Sequence, residues 1–207
     1  MLVMEPAVRP SPTALVVLGL LHAGPLHPYG MQRLIRQWGK DQVVNVGQRA
    51  NLYKTIKRLS EAGLIAVRQT ERDQLYPERT VYELTDLGRE EALRWLAGML
   101  ARPKNEYPEF PAALSFLMLL KPAAAQAVLQ QRADQLHQDL ARLDAGLAAY
   151  AGQLPRVTLL EDEYQRAVVA AELAWLDGVL ADLGTGALDW TEDMAELATS
   201  YLQDEKG

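Results

Sequence analysis

The chain contains no cysteine, which excludes disulfides and thiolate chemistry and is compatible with a reducing cytoplasm. Histidine is nearly as scarce. The three present, His22, His27 and His137, stand in separate contexts without metal-ligand spacing. A glycine-rich phosphate loop, a nucleophile elbow and an HExxH stretch are all missing. The longest apolar run, Ala14 to Leu21, is far too short to span a bilayer, and residues 1–12 do not read as a signal peptide. One carboxylate run, Glu161-Asp162-Glu163, falls at the expected start of a helix, where it complements the dipole. These absences argue against an enzyme, a resident metal or cofactor, and a membrane protein. No internal repeat or low-complexity tract is found.

What is present is a globular composition, 49% hydrophobic and 23% charged, with its charge unevenly placed. Up to residue 102 there are 14 basic against 10 acidic residues, and beyond it 7 against 17. Between Arg33 and Arg72 the balance is 9 to 3. The formal charge of −6 therefore sums two unlike halves and does not argue against nucleic acid, since local basic patches supply phosphate attraction.

Thr13 can cap a nearly all-apolar helix running to about Ala23, which Gly24-Pro25 stops. His27-Pro28-Tyr29-Gly30 reads as a turn into a second helix, about Met31 to Trp38, with Met31, Leu34, Ile35 and Trp38 on one side. A third helix is expected from about Gln48 to Ala62. Leu52, Ile56, Leu59 and Gly63 share its packing face, and Ala50, Asn51, Lys54, Lys57 and Arg58 point away. Gly63 ends it. Leu64 to Thr70 and Thr80 to Leu84 read as strands around a polar tip, after which Thr85 caps a fourth helix to about Ala101.

Three prolines between Pro103 and Pro111 mark the expected boundary. The division is an arm (1–12), a first domain (13–102), a linker (103–111) and a helical domain (112–207). In the last, a short apolar helix (Ala112 to Leu120) precedes a long one. There Leu129, Ala133, Leu136, Leu140, Leu143, Leu147 and Tyr150 repeat at four and three residues, a packing seam of about three heptads. A further helix, about Thr158 to Leu183, carries Leu160, Tyr164, Val168, Ala171, Trp175 and Val179 on one side, and a terminal helix is expected at Thr191 to Leu202.

Three helices, a hairpin and a helix, with the third helix basic, is the order of a winged helix-turn-helix. The fold class expected is mostly α with a small β-hairpin wing, followed by an all-helical dimerisation domain. The alternative is a winged helix serving protein interaction without specific DNA binding. The cationic face of the third helix, free of acidic residues until Glu61, favours DNA.

Several motifs then occur in a specific order: His27-Pro28-Tyr29-Gly30, Leu52-Tyr53 with Leu59 and Gly63-Leu64-Ile65, and Tyr82-Glu83-Leu84-Thr85-Asp86-Leu87-Gly88. With them the stretch from about Ala14 to Leu100 resembles the PadR family of prokaryotic transcriptional regulators. Tyr164 to Leu183, containing Glu172-Leu173-Ala174-Trp175-Leu176, resembles the longer C-terminal domain of one branch of that family. A departure falls at the start of the third helix. The family's Ser-x-Gly-Thr-Leu-Tyr-Pro is here Gln48-Arg49-Ala50-Asn51-Leu52-Tyr53-Lys54, which replaces proline by a cation.

On the DNA-binding reading, Asn51 suits adenine N6 and N7, and Lys54 suits guanine acceptors. Gln48 and Arg49 stand at the helix start, Lys57 and Arg58 a turn further on, all suited to phosphates. Arg68, Arg72 and Arg79, with Gln74, lie on the wing, and the resemblance puts Tyr29 beside the DNA. Tyr53 is expected to pack. A homodimer would place two recognition helices about one DNA turn apart on an inverted repeat. The resemblance also implies repression and release by a small aromatic or hydrophobic effector, for which Trp95, Met99 and Trp175 are the candidate lining residues. No cofactor is called for.

Overall fold

The computed structural model describes residues 8–40, 44, 49–71 and 79–191. Within these the chain forms two compact units, divided between Glu106 and Tyr107.

The first unit begins with α1 (Pro12–His22), capped by Ser11 rather than Thr13. The reason lies in Pro12. A residue before proline is pushed to extended backbone, and Ser11 sits at φ −145° and ψ 152°, so its Oγ accepts the Ala14 N–H at 3.3 Å. The same logic moves the start of α2 (Pro28–Gln37) three residues earlier than Met31. His27 is extended before Pro28, and its Nδ1 accepts the Tyr29 N–H at 3.1 Å. Two X-Pro steps thus convert expected turns into first helical turns.

Helix α3 (Arg49–Glu61) ends where expected, with Gly63 at φ +70°. Leu64 N–H reaches the Leu59 carbonyl and Gly63 N–H the Ser60 carbonyl, both at 3.0 Å, and the Leu59 and Leu64 side chains are buried beside them. This is the Schellman arrangement, which satisfies carbonyls that the helix end would otherwise orphan. Strands β1 (Ile65–Glu71) and β2 (Arg79–Leu84) pair antiparallel, with an extra residue, Arg68, between the Val67–Tyr82 and Gln69–Val81 pairs. Leu26 bridges Tyr82 on the other edge of β2, through two hydrogen bonds of 3.0 Å.

Helix α4 (Asp86–Ala101) is capped by Thr85, whose Oγ1 accepts the Gly88 N–H at 3.0 Å. The same hydroxyl shares its proton between the carbonyls of Gly63 (2.8 Å) and Leu64 (3.0 Å). Gly88 is required there, because a Cβ would stand 1.9 Å from the Leu64 carbonyl oxygen. The core gathers on α1, with Val17 and Leu18 meeting Met31, Ile35, Leu52, Ile56, Leu59, Ile65 and Trp95. Each such side chain contributes about 1.5–3 kcal/mol of burial.

The second unit opens with α5 (Glu109–Leu114) and a separate 3-10 turn, Leu117–Leu119, in place of one helix from Ala112 to Leu120. Helix α6 (Pro122–Tyr150) pairs with α7 (Leu160–Thr185) as an antiparallel hairpin, held by Arg132–Glu172 at 2.7 Å and, further along, Arg166–Asp144. Leu129, Ala133 and Leu136 of the seam pack on Leu173 and Leu176, while Leu147 is half-buried and Tyr150 exposed at the hairpin end. The side of α7 that carries Leu160, Tyr164, Val168 and Trp175 is exposed in the single chain. The sequence left that face without an assigned neighbour, and a second apolar face of α7, through Val169, Leu173, Leu176 and Leu183, makes the hairpin. No helix among the described residues is long and apolar enough to cross a membrane. Apart from Thr191, the expected terminal helix lies outside the described residues.

Candidate nucleic-acid interface

Burial of Leu52, Ile56 and Leu59, each 2% exposed or less, orients α3 completely. On a helix of 3.6 residues per turn, Lys54 and Lys57 then point opposite the core, flanked by Asn51, Arg58 and Tyr53, all exposed. Among the described residues, Lys57 alone of these has a charge partner close by, Glu61 at 3.7 Å one turn on. Such an exposed pair is worth about 0.3–0.5 kcal/mol, too little to hold the lysine from a phosphate.

Tyr53, expected to pack, is 48% exposed and belongs to this face. Its position one residue from Leu52 turns it about 100° from the core, further than the flank of an apolar stripe reaches. The helical wheel carried that signal. Tyr29, at the first turn of α2, is 61% exposed, and Arg33 and Arg36 of the same helix are also open to solvent. Trp38, expected on the packing side of α2, is 53% exposed as the C-cap residue of that helix.

On the wing, the bulge re-aims Arg68, which stands 3.9 Å from Glu83 and remains over half exposed. Arg49 is the first residue of α3 and Arg79 the first of β2. Gln48, Arg72 and Gln74 lie outside the described residues. Asn51, Lys54, Lys57, Arg58 and Tyr53 are therefore brought onto one face.

The effector candidates are distributed differently. Trp95 is 2% exposed in the first core, and with Met99 it lines a cleft of about 560 Å³ in the first unit. Pro10, Pro12 and Pro103 give that cleft apolar walls, Arg94, Arg102 and Lys104 add cations, and Glu106 adds one carboxylate. Arg94 is paired with Glu91, and the pairing holds the Glu91 carboxyl below its ordinary value. Trp175 is in the second unit, edge-on to Phe110 with ring centroids 6.3 Å apart. Arg132 lies 5.1 Å from the centroid of that Phe110 ring.

A helix seated on a core by one stripe, cationic on the other, beside a two-stranded wing, defines a winged helix-turn-helix protein. Residues 17–94 match the profile of the transcriptional regulator PadR-like family. The match takes in the winged helix-turn-helix region, and over that region the chain is similar to the PadR-like transcriptional regulators.

Solved structures share the fold. Bacillus subtilis PadR in complex with operator DNA is 20% identical, with a TM-score of 0.69, over 84% of this chain and 99% of that one. The same Bacillus subtilis protein in complex with p-coumaric acid is 19% identical, with a TM-score of 0.62, over 85% and 99%. The Vibrio cholerae virulence activator AphA is 19% identical, with a TM-score of 0.60, over 84% and 98%. No curated protein sequence matches the chain significantly.

Proposed function

We propose that the protein is a dimeric, cytoplasmic, sequence-specific DNA-binding repressor that reads an inverted-repeat operator with α3. The observation that carries this reading is the exposed Asn51, Lys54, Lys57 and Arg58 face opposite a fully buried stripe. Asn51 and Lys54, nearest the helix start, are the base readers in this reading. Lys57, Arg58, Arg49 and Gln48 hold phosphates, as does Tyr29 through its hydroxyl, and Arg68, Arg72 and Arg79 hold the flanking backbone from the wing.

Dimerisation is supported by apolar surface that one chain leaves open. Leu93, Leu96 and Leu100 form such a stripe on α4, and Leu160, Tyr164, Val168 and Trp175 form another on α7. A two-fold axis sets two α3 helices about 34 Å apart. The effector is a small aromatic or hydrophobic compound, and the cleft at Trp95 and Met99 is its site in the first unit. Arg102 and Lys104 on its lining, against the one carboxylate of Glu106, favour a compound that also carries a negative charge. It releases DNA only insofar as it binds the DNA-competent and DNA-incompetent states unequally.

Fluorescence anisotropy against DNA from the gene's own upstream region, with scrambled DNA as control at physiological salt, tests the reading. Specific binding is expected to be tighter by about a thousandfold or more. No binding to either, even at low salt, would overturn it in favour of a protein-interaction module.

A further inference from the structure

Helix α2 meets the core through Met31 and Ile35, both fully buried, with Gln32 buried beside them. On a helix of 3.6 residues per turn, Arg33 then stands nearly opposite the buried side. Tyr29 and Arg36 flank it, so the three recur at four and three residues along one outward row. All three are exposed, as is Gln37 next to them.

The row is cationic, and the helices around it supply almost no counter-charge. Helices α1 and α2 contain no carboxylate side chain, and the single one of α3, Glu61, is its last residue and stands by Lys57. Between positions 6 and 60 the sequence sets one acidic residue, Asp41, against eight lysines and arginines. A solvated helix face ordinarily interleaves the two signs, because opposite charges a turn apart support a helix and like charges oppose it. Arg36, in the last turn, complements the helix dipole. Arg33, in mid-helix, gains nothing from the dipole and stands three residues from a like charge.

A line of phosphates would turn that cost into attraction. Guanidinium grips phosphate through a two-pronged fork of hydrogen bonds, and the helix ahead of a recognition helix crosses the DNA backbone. We propose that Arg33 and Arg36 each hold a backbone phosphate, making α2 a second anchoring surface outside the groove that α3 enters. The proposal rests on α3 being the helix in that groove, and it extends the row that Tyr29 begins. Contacts of this kind position the duplex and carry no sequence information.

Full-length protein carrying Arg33→Ala with Arg36→Ala is titrated by fluorescence anisotropy at several salt concentrations. The probes are the gene's upstream DNA and a scrambled duplex. Alanine is the strongest helix former, so α2 should stay folded, and circular dichroism melts check it. Arg33→Gln with Arg36→Gln repeats the measurement if the melts differ from those of the parent. Affinity for both duplexes is expected to fall by the same factor. The slope of log affinity against log salt should shrink by about 0.9 for each arginine. Arg33→Lys with Arg36→Lys, which keeps both charges, should hold the parental slope. A parental slope in the alanine variant would overturn the proposal. So would a loss confined to the upstream DNA, which would make the arginines base readers. Parent protein that binds neither duplex at low salt would overturn it together with the reading of α3. A parent that binds, with the expected slope change in the variant, supports α2 whether or not the two duplexes differ in affinity.

Discussion

At the scale of single residues, the proposed recognition face divides into side chains whose substitution has distinguishable expected effects. Lys54 is unpaired by any acidic neighbour within its turn and points directly away from the core. Lys54→Ala should cost about 1–3 kcal/mol of operator affinity and relax base preference at one position. Anisotropy titrations on operator and random DNA check this, and an equal loss on both would demote Lys54 to a phosphate contact. Lys57→Ala should weaken both DNAs alike and lower the salt slope by about one. A different prediction attaches to Gly88, whose added Cβ has only backbone to displace. Gly88→Ala should destabilise the domain by about 1–3 kcal/mol, as overpacking does, measured by urea denaturation. A variant as stable as the parent would mean that the Leu64 carbonyl can move aside.

Among the elements, α7 bears most on assembly, because it is apolar on two faces and its own hairpin uses one. Val168→Glu with Trp175→Glu should shift the protein from dimer to monomer in light scattering while its helical content is kept. A dimer that persists would assign the interface elsewhere, α4 being the next stripe. The start of α7 also holds an ion pair, in which the Arg156 guanidinium keeps the Glu163 carboxyl below its ordinary value. A lowered carboxylate adds stability above its unfolded value, and that stability is lost as pH falls through the folded one. Arg156→Ala should therefore lower the melting temperature slightly at neutral pH and leave it unchanged in strong acid. The elements differ in how far they could be read in advance. The stripe Leu52–Ile56–Leu59 and the glycine stop at Gly63 are local signals, and α3 and its outward face were legible from them. Helix starts were displaced where Pro12 and Pro28 changed which residue does the capping. The packed face of α7 was not legible, since two apolar faces on one helix compete and periodicity does not choose between them. The cleft at Trp95 and Met99 is formed by residues far apart in the chain, Pro10 to Pro12 and Arg94 to Glu106, and no spacing rule brings them together.

For the whole molecule, the unequal halves bear on the proposed binding of DNA. In that proposal the basic segment supplies attraction to phosphates and the acidic remainder limits loose binding elsewhere. Observed affinity should therefore fall steeply and linearly with the logarithm of salt concentration, with a slope of about −0.9 per phosphate neutralised. A flat salt response in anisotropy would contradict an interface made of these lysines and arginines. The junction at Thr85 has a further consequence at this scale. One hydroxyl touches the end of α3, the entry to β1 and the first turn of α4, and Gly88 lets the last two lie in contact. None of the three can loosen without releasing the others, so the amide protons of Leu64, Thr85 and Gly88 should exchange with solvent in a single cooperative opening. Under the proposed function, the head that carries α3 would then open and close as one part.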